Sequence, residues 1–169
     1  KYAVAHRPHF GGFVNTVVTR HNIRDLPETV ALASNLGAKL IVISNTTPEG
    51  HGEDRYADLA VPLNLLAEVL PTVPQRAPNS VIRFFGVPMC LLGEYGAHSN
   101  DLHWDPRVTV EWQRDPGVVA FTGIYSWAPD RRRVHVDACN GCSRKRVCSG
   151  VFDKYAETWD TDALKPAVE

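Results

Sequence analysis

The chain has almost no charge imbalance. Eighteen Lys and Arg stand against nineteen Asp and Glu, a net charge of -1 over 169 residues. That balance gives no electrostatic reason to expect nucleic acid or a membrane surface as partner. Long apolar runs are missing too. The run "KLIVIS", residues 39–44, is far shorter than the roughly 20 residues that span a bilayer. No secretory signal pattern is present, so a cytoplasmic setting is expected. The chain opens on Lys1 rather than Met, within what reads as folded sequence, and an N-terminal part is expected to lie outside it. There is no internal repeat and no low-complexity tract. Cysteine is scarce, with four in all. An even number raises the possibility of disulfides. Disulfide frameworks belong to small secreted domains that lack an adequate core, whereas 44% of these residues are hydrophobic, enough for a packed core.

What is present begins with alternating β and α signals. Residues 13–20, "FVNTVVTR", are rich in Val and Thr and read as a strand. In "DLPETVALASNLGA", Asp25 is placed to cap a helix, with Glu28 three residues on and Pro27 in the tolerant first turn. Leu26, Val30, Ala33 and Leu36 share a helical face, and Gly37 supplies the stop. The run at 39–44 then suits a parallel strand buried on both faces. A second helix is expected over 58–70, with Pro62 early in it, and a third strand over 80–87. The loop "NTTPEGHGEDRY" leaves the second strand at its carboxyl end, where parallel α/β proteins bind ligands. After Cys90 the pattern changes to three short β-like runs, "RVTVEWQ", "VVAFTGIYSW" and "RRRVHVDA", separated by turn signals. A short helix should end the chain.

The chemistry is concentrated in "DACNGCSRKRVCSGVFDKY", residues 137–155. Cys139 and Cys142 form a C-x2-C pair, a spacing that turns two thiolates towards one metal. Cys148 follows after "SRKRV", and Cys90 is the remaining cysteine to complete a set of four. Four thiolates hold either a zinc ion or an iron–sulfur cube. Arg144, Lys145 and Arg146 between the ligands favour thiolate over thiol in either case. His98, His103 or His135 offers a substitute for Cys90 in a Cys3His zinc set. One knuckle joined to an isolated Cys90 leans towards iron–sulfur. Trp104, Trp112, Trp127 and Trp159 are expected to cover the cluster or the core.

Two segments, "VNTVVTRHNIRDLPETVALASNLGAKLIVI" and "CNGCSRKRVCSGVFDKY", resemble the C-terminal half of radical S-adenosylmethionine enzymes. The resemblance is to the group that matures the molybdenum, nitrogenase and pyrroloquinoline-quinone cofactors. It covers nearly the whole chain. It implies an α/β fold: residues 1–78 as the C-terminal part of a partial (βα) barrel, then residues 79–169 as a small β-rich extension. Within that extension, which is SPASM- or twitch-like, it implies an auxiliary 4Fe–4S cluster on Cys90, Cys139, Cys142 and Cys148. It further implies that Asn15, Thr19, Ser44 and Asn45 lie near S-adenosylmethionine, with Thr46, Thr47 and Glu49 facing the substrate and Gly50 and Gly52 as hinges of that loop. The family's radical-generating 4Fe–4S cluster sits on a CxxxCxxC loop, which these 169 residues do not contain. The resemblance therefore implies a fragment or one half of a split enzyme, inactive by itself. A small-molecule or peptide substrate and an electron donor such as flavodoxin or ferredoxin would be its partners. A zinc-stabilised binding module and a small electron-transfer iron–sulfur protein are the alternatives.

Overall fold

A computed structural model describes residues 11–103, 107–115, 118–126 and 132–168, with 107–115 and 118–126 described by backbone alone. Three parallel strands form one sheet in the order β1-β2-β3: β1 Gly12–Val18, β2 Ala38–Asn45 and β3 Val81–Phe85. Helix α1, Leu26–Asn35, connects β1 to β2 and packs on β2. Its inner face is Leu26 and Val30, both buried, while Leu36 at the helix end is partly exposed. Asp25 does occupy the N-cap, but its side chain makes no capping bond; its carbonyl accepts from the Thr29 hydroxyl instead.

The helix expected over 58–70 is broken. Two short turns, α2 His51–Asp54 and α3 Tyr56–Leu59, come first, and α4 spans Leu63–Val69. Pro62 causes the break. Ala60 is extended ahead of it, and Pro62 itself, at ψ 137, becomes the N-cap of α4. Pro62 has no side-chain acceptor, so the Tyr155 hydroxyl accepts the Leu63 N–H at 3.0 Å. The Pro-rich connector forms 3-10 turns at Leu70–Thr72 and Pro74–Arg76.

Helices and loops cover one face of the sheet, where Val18, Ile41, Ile43, Ile82 and Phe84 are buried. The other face departs from expectation. The register places Asn15 beside Val42 and Val42 beside Arg83, with Phe13 beside Leu40 and Leu40 beside Val81. On this face Phe13 is 62% exposed, Val17 48% and Val81 49%. Parallel sheets are ordinarily covered on both sides; here Leu40 and Val42 on this face are half-buried and Ser44 is buried, while Phe13, Val17 and Val81 beside them are exposed.

Beyond β3 the chain turns through the 3-10 segment Met89–His98. Strands β4 Arg107–Asp115 and β5 Val118–Ser126 pair as the antiparallel hairpin the turn signals implied. The third β-like run does not join them. Among its described residues only Arg133–Val134 is strand, β6, and it pairs with β7, Val151–Phe152, just past the cysteines. Helix α5, Asp153–Thr158, follows. Val151, Phe152, Tyr155 and Leu164 belong to the same hydrophobic core as the strands and helices of the first half. No helix among the described residues is long and apolar enough to cross a membrane.

Candidate metal centre

Cys90 sits in the 3-10 segment that follows β3, and the triplet lies between β6 and β7. Folding brings these distant stretches together: Cys90, Cys139, Cys142 and Cys148 all line one small cavity of about 30 Å³. Each thiol is half-buried and none is in a disulfide. Cys139 ends the short 3-10 turn Asp137–Cys139, and the Cys142 N–H closes the knuckle on the Cys139 carbonyl at 3.2 Å. Gly141 adopts φ +79 within it, a conformation that costs glycine little. The Cys148 N–H donates to the Arg144 carbonyl at 3.0 Å, so the basic loop folds back to deliver the third sulfur.

Backbone donors already face the sulfurs. The N–H groups of Met89 and Gly150 both donate to Cys148 Sγ at 3.4 Å. Burial pushes the Cys90 thiol upward; the Lys165 backbone hydrogen bond opposes this, while Cys148 and Cys139 act in the same upward sense through their own charge. That mutual influence is what thiols sharing one space produce. The 3-10 segment brings Met89, and the chain's final stretch brings Leu164 and Pro166, as apolar lining. Arg144 and Lys145 line the cavity as well, whereas Arg146 is exposed.

Gly150 is required by the local geometry. It adopts φ +84, and a Cβ there would stand 2.1 Å from the Val134 carbonyl oxygen. Of the three histidines, His135 lines the cavity, with Nε2 2.7 Å from the Cys148 carbonyl oxygen. His98 and His103 contact the Ile82 and Ala97 carbonyls instead. Trp159 packs against Tyr155 and Tyr56 in the core, with ring centroids 4.9 and 5.8 Å away. Trp104 and Trp127, and the side chain of Trp112, lie outside the described residues.

Four cysteine thiols are the donor set of either a zinc ion or an iron–sulfur cluster. A tetrahedral zinc with sulfurs at about 2.3 Å draws its thiolates to within about 3.8 Å of each other. Among the described residues, no three His, Cys, Asp or Glu side chains gather closely enough to hold one metal ion. The four cysteines share the lining of one small cavity.

The residues expected near S-adenosylmethionine divide into two pairs. Ser44 Oγ donates to Asn15 Oδ1 at 2.8 Å; the two share one sheet face, with Asn15 exposed and Ser44 buried. Thr19 and Asn45 are engaged with backbone: Thr19 Oγ1 accepts the His21 N–H at 3.3 Å, and Asn45 Nδ2 donates to the Gly86 carbonyl at 3.1 Å. Thr46 likewise donates to the Val18 carbonyl, at 2.6 Å. Gly50 has φ +54, and a Cβ on Gly52 would meet the Thr47 carbonyl at 2.7 Å, so both glycines serve the turn into α2. That loop is strapped to the C-terminal region. Arg132 binds Glu53 at 3.0 Å and Asp153 at 3.3 Å, and also donates to the Pro48 carbonyl. No sequence spacing announces this strap, because its members are scattered over 100 residues. A separate cavity of about 480 Å³ opens between Arg20, Asn64, Trp159 and Asp160. Comparison with protein-family models, curated proteins and solved structures finds no match for this chain.

Proposed function

We propose that this chain is the C-terminal part of a radical S-adenosylmethionine enzyme, carrying one auxiliary 4Fe–4S cluster on Cys90, Cys139, Cys142 and Cys148. The observation that carries the reading is the arrival of Cys90 in the cavity lined by the cysteine triplet. Sequence proximity explains the triplet; only folding explains the fourth thiol. When bound, such a cluster supplies one-electron redox chemistry or an iron site for substrate. The chain's own residues hold it: four sulfurs, two N–H groups aimed at Cys148, and the cations Arg144 and Lys145 to offset negative charge.

The partly exposed sheet face supports the same reading. In this proposal β1, β2 and β3 belong to a partial barrel, and the face bearing Asn15 and Ser44 looks onto the space for S-adenosylmethionine and substrate. The radical-generating cluster, on a CxxxCxxC loop, would belong to sequence outside these 169 residues, and an electron donor such as flavodoxin or ferredoxin would serve it. A cytoplasmic setting follows from that chemistry.

Anaerobic purification with iron, sulfide and zinc analysis tests the reading. A brown protein with broad visible absorption and about four irons per chain supports it. A colourless protein holding one zinc overturns it in favour of a zinc-stabilised module.

A further inference from the structure

Behind Cys148 lies an ion pair that the cluster reading does not use. The side chains of Asp101 and Arg133 are each 1% exposed, with Arg133 Nη2 3.4 Å from Asp101 Oδ2. Both partners grip the turn that carries the thiol. Asp101 Oδ2 accepts the Ser149 N–H at 3.0 Å. Arg133 Nε donates to the Gly150 carbonyl at 2.8 Å, and Nη2 reaches the same oxygen. The guanidinium carbon lies over the Phe152 ring, 5.3 Å from its centre. Gly150, held in this way, directs its own N–H at Cys148 Sγ.

We propose that the Asp101–Arg133 pair is a positioning device for Cys148, setting the hydrogen bonding to its sulfur and so the reduction potential of the centre the four cysteines hold. The inference rests on the cluster reading above. Stability alone is a poor reason for such a pair, since apolar residues of similar volume often serve a core as well or better. Its polar groups are not even fully used: Asp101 Oδ1 is buried with no partner among the described residues. Hydrogen bonds to ligating sulfurs are, by contrast, a recognised determinant of cluster potential. They stabilise the more negative, reduced state, so weakening them lowers the potential.

The test is a redox titration of the anaerobically reconstituted chain and of the double variant Asp101→Asn/Arg133→Met. Removing both charges together strands neither and leaves the local net charge unchanged. The variant is expected to fold and to load, with a lower potential: about threefold less reduced cluster at a fixed poise. A loaded, folded variant at the parent potential overturns the inference and leaves the cluster reading intact. Should the double variant fail to fold, Arg133→Lys answers instead. It keeps the cation but loses the paired grip on Gly150, so the same downward shift is expected and an unchanged potential refutes the proposal. A parent chain that takes up no cluster defeats the function reading itself, and this inference with it.

Discussion

Tyr155 shows how one hydroxyl can replace a missing cap. Helix α4 begins after a proline, and its first N–H has no local acceptor other than this phenol 92 residues away. Tyr155→Phe leaves that N–H buried and unsatisfied, at a cost of about 1–3 kcal/mol. Urea unfolding should show the drop with an unchanged m-value; a midpoint equal to the parent's would mean that the bond contributes nothing. The cysteine triplet was legible at this scale because its spacing is local. The Asp101–Arg133 pair and the Arg132 strap were not, since charge partners separated by tens of residues leave no periodic signal. Thr19 and Asn45 make the same point from the other side. Strand parity groups Thr19 with Asn15, but the chain leaves β1 at Val18 and Thr19 enters a turn. Asn45 is one residue from Ser44, and that single step puts it on the covered face.

Among the elements, the sheet matters most. The βαβ reading of residues 13–44 was legible because Val-rich and helical periodicities are strong, and β3 falls where its apolar run predicted. The run at 39–44 could not reveal that one face stays partly exposed among the described residues, because burial depends on what packs above it. Pro62 was visible, but its effect was not: a proline in a first turn is tolerated, while a proline at an N-cap ends the preceding turn. The exposed apolar residues of this face, Phe13, Val17 and Val81, should make the isolated chain self-associate. Val17→Lys/Val81→Lys changes two residues that are about half exposed, so its thermal midpoint should stay near the parent's while its apparent mass by light scattering falls towards one chain. A parent that is already monomeric at high concentration would contradict this account of the face.

For the whole molecule, one core joins the parallel sheet to the stretch that follows the cysteines. Tyr56 lies within it, and burial first, then Tyr155 and Asp153, push its phenol well above the ordinary tyrosine range. The folded value is raised, so the stabilisation is complete below the unfolded value of about 10 and is lost as pH climbs beyond it. Each such group removes about 1.4 kcal/mol per pH unit over that interval. Denaturation midpoints of the metal-free chain should therefore fall above about pH 10, and Tyr56→Phe should flatten the fall. An equally steep decline in the variant would assign it elsewhere.

The same long-range closure brings Cys90 to the triplet, and it is the claim on which the functional reading depends. Its most direct measurement is iron and sulfide content per chain, in the parent and in Cys90→Ala, after anaerobic reconstitution. The account predicts about four of each in the parent and a loss of most of both in the variant. A single zinc in the parent, or a full complement retained without Cys90, would contradict it.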